Sequence, residues 1–195
     1  PSTQNAAVLV NDGTLVNVYE HHTPSYQESI LQTYGIILTL EEIERNYGKP
    51  ASEVVAMPVR EKGLRESRIQ EGLERAFSLY AQELARRIKE ANSGAKSAIL
   101  PGVQKLLEKL VLEEIPRGVV TGNIRLAGET ILNVTNLSQF FNPEINAYAD
   151  QTTGKRTMII KNALINANII GAYDENTNVF VFGDTPSDVE AAKEN

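Results

Sequence analysis

Between residues 19 and 91 the chain shows no strand pattern, while a single strand precedes that stretch and alternating strand and helix follow it. This constrains the fold more than any other feature. Before it stands one short β-rich run, Ala6–Val10, ending in Asn11-Asp12-Gly13-Thr14. After it come Arg117–Thr121, Ile145–Ala149 and Val179–Phe182, each separated by a helical period. Alternation of this kind implies a parallel sheet with helices on its faces. The α/β core is therefore expected to be assembled from residues 1–18 and 97–195, with residues 19–96 inserted as a helical block.

Within that block, residues 23–34 are predicted helical, with Thr23 as cap, Pro24 in the first turn and Gly35 as stop. Thr39 and Glu42 are spaced as a capping box for a short helix, and residues 51–57 read as another. The longest period is 66–91, where Ile69, Leu73, Phe77, Tyr80, Leu84 and Ile88 recur every three or four residues. Such a stripe reads as helix-on-helix core rather than as a lid over a ligand. Asn92–Ser97 reads as a linker. Helices are then predicted over 101–113, 124–134 and 157–168, and from Pro186 onward.

The 195 residues suit one ordinary domain, or one with a small insert. Nineteen Lys and Arg stand against 25 Asp and Glu, a net charge of −6, so there is no basic footprint for nucleic acid. The absence of cysteine rules out disulfides and thiolate metal sites. No apolar run approaches a membrane span, and Pro1–Asn5 does not read as a signal peptide, which makes the cytoplasm the default expectation. The oligomeric state is not encoded in any motif.

Four segments carry chemistry. Residues 10 and 12 lie two apart on a strand, so their side chains point the same way, about 6.6 Å apart by strand rise. Asp12 is a carboxylate, while Val10 has no lone pair to attack or bind a metal. Taken alone, Asp12-Gly13-Thr14 reads as a turn with an Asx bond. Val119-Val120-Thr121-Gly122-Asn123 ends a strand with a hydroxyl and the start of a helix, which suits either phosphate binding or a plain turn capped by Asn123. Lys155 and Arg156 head the third helix of the core and offer a cation, or two solvated charges. Gly183-Asp184-Thr185-Pro186-Ser187-Asp188 follows a strand and opens a helix. Its two carboxylates can converge on one hard cation such as Mg²⁺, and Asp188 can also complete a capping box with Thr185. His21 and His22 stand just after the first loop. A solvated approach to the helix is the readier reading there, and a substrate contact the alternative.

In this order the segments resemble the four motifs of the haloacid dehalogenase-like (HAD) phosphatases. Thr-Gly-Asn suits the phosphoglycolate-phosphatase-like branch. The resemblance implies a Rossmann-like α/β core with an α-helical cap that selects the leaving group. It implies a Mg²⁺-dependent phosphomonoester hydrolase acting on a small phosphorylated metabolite. Asp12 would be the general acid/base and would offer its backbone carbonyl to the metal. Thr14, Thr121, Gly122 and Asn123 would hold phosphate, Lys155 or Arg156 would neutralise charge, and Asp184 and Asp188 would hold Mg²⁺. There are two departures from the pattern. Val10 occupies the position of the family's covalent nucleophile, so the resemblance implies impaired hydrolysis. The alternative is a catalytically inactive phosphate- or metal-binding or scaffold protein. The sequence also stops at Asn195, inside the helix after the fourth motif, which reads either as a fragment of a longer chain or as a sheet left with a bare edge.

Overall fold

The computed structural model describes residues 4–91, 94 and 98–195. Most of the predicted linker at 92–97 lies outside the described residues. Four parallel strands, β1 (Asn5–Val10), β2 (Arg117–Thr121), β3 (Ala147–Tyr148) and β4 (Asn178–Phe182), form one sheet in the order β3-β2-β1-β4. Val10 pairs with Val120 and Leu9 with Phe182, so the carboxyl ends of β1, β2 and β4 stand level. In such sheets ligands bind beyond those ends.

β1 is central, and its side chains alternate between two apolar layers. Ala7 and Leu9 face a large buried cluster that also holds Leu107 of α5 (Val103–Leu112) and Ile131 of α6 (Arg125–Val134). Val8 and Val10 face a smaller one with Ile159, Ile160 and Ala163 of α7 (Arg156–Ile169) and Ala191 of α8 (Pro186–Glu194). Both faces of the strand are covered, which is why it reads as a continuous hydrophobic run.

Residues 19–91 form α1 (Tyr19–Tyr34), α2 (Leu40–Glu44), α3 (Ala51–Glu61) and α4 (Glu66–Glu90), with no strand among them. The predicted stripe on α4 is core: Ile69, Tyr80, Leu84 and Ile88 are fully buried, and Leu73 and Phe77 pack against them. A Cβ on Gly72 would stand 2.4 Å from the Tyr34 ring, so only glycine lets α1 come this close to α4. The large cluster runs without a break from β1 through these helices. The helical block therefore shares its apolar interior with one face of the sheet.

Several boundaries differ from expectation for local reasons. α1 starts at Tyr19 rather than at residue 23, and Thr23 does not cap it. Its hydroxyl instead bonds Glu44 (3.1 Å) and Tyr47 (2.7 Å), so tertiary partners replace the cap. Pro24 sits inside this helix past its first turn, and so leaves the Glu20 carbonyl without its intrahelical donor. α3 runs through Pro58 to Glu61, where buried Val54, Val55 and Val59 outweigh the missing N–H. α5 begins two residues after Pro101, because Gly102 takes a left-handed φ of 86°. Thr39 and Glu42 do form the capping box on α2.

Leu84→Ala would leave a cavity in this shared interior. It is expected to cost about 2–5 kcal/mol, read by chemical denaturation. A loss under about 0.5 kcal/mol, the size of a surface effect, would show that the helices do not share a packed core.

Candidate functional site

At the level carboxyl ends of β1 and β2 lies a cavity of about 540 Å³. Val10, Asp12, Thr121, Gly122, Asn123 and Arg156 form its sheet-side wall. Tyr19, His22, Thr23, Tyr26, Glu44, Tyr47 and Lys49 of the helical block form the other.

The loop after β1 is built as a tight turn. Leu15 and Val16 N–H both donate to the Asn11 carbonyl, and Gly13 N–H donates to the Val16 carbonyl. Gly13 has φ 83°, and a Cβ there would stand 2.2 Å from Asp184 Oδ2. Glycine thus serves twice, for its left-handed backbone and for the approach of Asp184. Thr14 Oγ1 donates to Asp184 Oδ1 at 3.1 Å. It ties the first segment to the fourth rather than facing the cavity.

Asp12 is the hub. Its Oδ2 accepts from Asn123 Nδ2 at 2.7 Å, and its Oδ1 lies 3.3 Å from His22 Nε2. His22 Nδ1 in turn meets the Tyr80 hydroxyl at 2.6 Å, and Tyr80 stacks on Tyr26 with ring centres 3.9 Å apart. Burial, then the neighbouring Tyr26 and Asp12, pushes the Tyr80 phenol well above its ordinary pKa, so it stays a neutral hydroxyl. Burial and the Asp184 and Asp12 carboxylates likewise raise Tyr19 at the cavity mouth.

The solvated reading of the two histidines does not hold. His22 is buried against Asp12, and His21 sits 3.7 Å from Glu20 with little exposure. Starting α1 at Tyr19 is what turns His22 inward. The period Tyr19, His22, Tyr26 was the signal, hidden by the expected start at residue 23. Asn123 does not cap α6, since Ile124 holds that position. Asn123 N–H donates to Thr121 Oγ1 at 3.1 Å within the turn, while its side chain makes the loop–loop contact to Asp12. Lys155 is an exposed residue at the start of α7, while Arg156 reaches into the cavity. Tyr80, Glu44 and Lys49 carried no sequence motif and enter the site only through the packing of the helical block.

Asp188 is almost fully buried. Its Oδ2 accepts from Thr185 N–H (3.1 Å) and Oγ1 (2.6 Å), which completes the predicted capping box. Arg156 Nε lies 2.8 Å from its Oδ1, close enough for an ion pair but not aligned as a hydrogen bond. Asp12, Asp184 and Asp188 do not converge. Among the described residues no three His, Asp or Glu side chains are placed to hold one metal ion. Val10 offers no oxygen donor. Mg²⁺ keeps several waters and takes one or two protein carboxylates plus substrate phosphate, so Asp184, which lies against the loop after β1, and the backbone carbonyl of Asp12 are the donors that would hold it.

A family model described as haloacid dehalogenase-like hydrolase matches residues 11–195. The chain belongs to that family. Among solved structures, β-phosphoglucomutase from Clostridium difficile superposes with a TM-score of 0.68 at 17% identity, covering 98% of this chain and 81% of that one. A HAD hydrolase of family IA, variant 3, from Entamoeba histolytica gives 0.67 at 18%, covering 97% and 80%. A hydrolase from Pseudomonas syringae gives 0.60 at 24%, covering 98% and 81%. At these identities the likeness speaks to the fold alone. No curated protein matches the chain. Within this HAD-like frame Val10 stands where β1 ends, 2% exposed and packed with Val8, Val120 and Ile159.

Asn11, between the two first-motif positions, is fully buried with neither side-chain atom partnered. Such a group costs about 1–3 kcal/mol. Asn11→Leu is expected to stabilise the fold by part of that, seen as a raised denaturation midpoint, and a lowered midpoint would show that Asn11 has a partner. Gly13→Ala is expected to cost more than Gly35→Ala. Both glycines have positive φ, so both incur about 1–2 kcal/mol of left-handed strain, but only Gly13 faces Asp184. Equal losses would show that Asp184 can move aside freely.

Proposed function

We propose that the strand-end cavity is the phosphomonoester site of a HAD-type hydrolase for a small phosphorylated metabolite, with its hydrolytic step impaired by Val10. The observation that carries this reading is the meeting of Asp12, Thr121 and Arg156, from three separate segments, on one wall of one cavity. That wall supplies an acid/base group, a hydroxyl donor and a fixed cation, which a phosphoryl group needs for positioning and charge neutralisation.

Each residue has a definable task. Arg156 and Thr121 bind the phosphoryl oxygens. Asn123 and His22 hold the Asp12 carboxylate from both sides, at the place where a leaving oxygen would take up a proton. Val10 offers no electron pair to phosphorus, so no aspartyl-phosphate can form at this position. Loss of the nucleophile in a hydrolase triad costs about 10⁶ in rate, roughly 8 kcal/mol of barrier. Mg²⁺ is the expected cofactor of the unimpaired pattern. Asp184 and the backbone carbonyl of Asp12 would hold it, and no step here depends on it. The helical wall, with Glu44, Tyr47 and Lys49, faces the part of the substrate beyond the phosphate.

A second reading, binding without turnover, draws on the same Val10 and on Asp12, whose two oxygens are both engaged.

Val10→Asp separates the two. With a chromogenic phosphate ester, assayed with and without Mg²⁺, this variant is expected to gain activity over the unaltered chain by several orders of magnitude, toward the ~10⁶ that a nucleophile is worth. Adding Asp12→Asn should abolish the gain. Absence of turnover in both proteins, with Val10→Asp folded, would favour the binding-only reading, and robust, equal turnover by both would contradict an impaired nucleophile position.

A further inference from the structure

The helical wall of the cavity carries a directed chain of hydrogen bonds. Thr23 Oγ1 lies 3.1 Å from Glu44 Oε1 and 2.7 Å from the Tyr47 hydroxyl. A threonine hydroxyl has one proton to give, and a carboxylate only accepts. Thr23 therefore donates to Glu44, and Tyr47 donates to Thr23. Burial raises the Tyr47 phenol above its ordinary pKa, so it keeps the proton that this chain requires. Both hydroxyl protons are spent inside the wall. What remains for a ligand is an acceptor, the Glu44 carboxylate, which takes only the Thr23 bond among the described residues.

The charge on Glu44 is likewise unanswered. Glu44 is an exposed residue at the end of α2, it lines the cavity, and it forms no ion pair among the described residues. The cations along α2, α3 and their turns are taken elsewhere. Arg45 pairs with Glu61, Arg60 with Glu66 and Lys62 with Glu42. The Lys49 ammonium is turned onto Asn46 Oδ1 (2.8 Å) and Met57 Sδ (2.9 Å). The cavity is thus polar from wall to wall, with the Arg156 cation on the sheet side and an unpaired carboxylate on the helical side. A ligand that complements both walls has its phosphate at one end and a donor at the other.

We propose that Glu44 sets the specificity of this cavity, accepting phosphomonoesters whose organic part ends in a hydrogen-bond donor, an ammonium or a hydroxyl, and turning away those that end in a carboxylate. The proposal rests on the reading of the cavity as a phosphomonoester site and adds which end group that site takes. An ammonium gains more than a hydroxyl, because it supplies the charge that Glu44 lacks and makes a charge-assisted bond. A carboxylate meets a like charge, and the hydroxyl protons beside it are already given to Thr23 and Glu44.

The test is calorimetric titration of the full chain, with Mg²⁺ present throughout, against inorganic phosphate and three small monoesters that differ in their end group. These are phosphoethanolamine, glycerol phosphate and phosphoglycolate. Phosphoethanolamine is expected to bind about tenfold more tightly than phosphoglycolate, the scale of one charge-assisted contact, with glycerol phosphate between them. Glu44→Gln keeps an acceptor for Thr23 but removes the charge, and should bring phosphoethanolamine and phosphoglycolate within about threefold of each other. Glu44→Lys should reverse their order. Both changes fall at an exposed position, and circular dichroism reports that the fold is kept. Phosphoglycolate that binds the unaltered chain as tightly as phosphoethanolamine overturns the proposal. So does a gap that folded Glu44→Gln leaves as wide. Either result, with inorganic phosphate still bound, leaves the phosphomonoester reading standing. Failure of inorganic phosphate and all three esters to bind overturns that reading and the proposal with it.

Discussion

The Asp12 carboxylate joins three parts of the chain that are far apart in sequence. One oxygen is held by Asn123 from the loop after β2, and the other by His22 from the first helix of the inserted block. Through His22 the contact continues to Tyr80, in the middle of the long α4. A buried carboxylate needs such partners, since an unpaired charge out of water is costly. The same bonds fix the geometry of the cavity: they set the turn after β1 against the turn after β2 and draw the helical wall down over both. The continuous apolar interior beneath them makes that arrangement stiff, because a packed core tolerates few alternatives.

Around this hub the other contacts at the strand ends act as supports. Gly13 lets Asp184 lie against the first loop, and Thr14 bonds it there. Thr185 starts α8 and steadies Asp188, which in turn steadies Arg156. Each support is a short-range bond made by a residue at a strand end, the part of a parallel sheet where side chains from distant segments meet. The chemistry of the site is therefore decided by few atoms. Valine at the end of β1 fits the scaffold, because Val10 joins the apolar layer of Val8, Val120 and Ile159. On the proposed reading it stands in place of a covalent nucleophile while the phosphate-facing wall persists.

Much of this was legible in the residues. β2 has the predicted bounds, α4 and its buried stripe follow a 3.6-residue period, and the two capping boxes at Thr39 and Thr185 form as their spacing requires. What was hidden depends on contacts between segments. Thr23 looked like a cap until Glu44 and Tyr47 came within reach of it. His22 looked solvated until α1 was seen to begin at Tyr19, and Tyr80 looked like ordinary core. In the sequence both Lys155 and Arg156 qualify, with the spacing to Ala163-Leu164 slightly in favour of Arg156. The choice between them turns on which side chain a helix start aims at the sheet end, and Asp188 draws Arg156 there. The convergence of Asp12, Asp184 and Asp188 was plausible from the motifs. Among the described residues the three side chains do not form one group, since Asp188 turns to Thr185 and Arg156 while Asp184 lies against the first loop.

The central claim is that a phosphate ester enters this cavity and survives there. The most direct test is a crystal structure of the unaltered chain grown with a small phosphate monoester. The account predicts an intact ester, its phosphoryl group lying over Val10 between Arg156 and Thr121 and its organic part against the helical wall. Phosphoryl density elsewhere on the protein, or a covalent phosphoryl group on any side chain of the cavity, would contradict it.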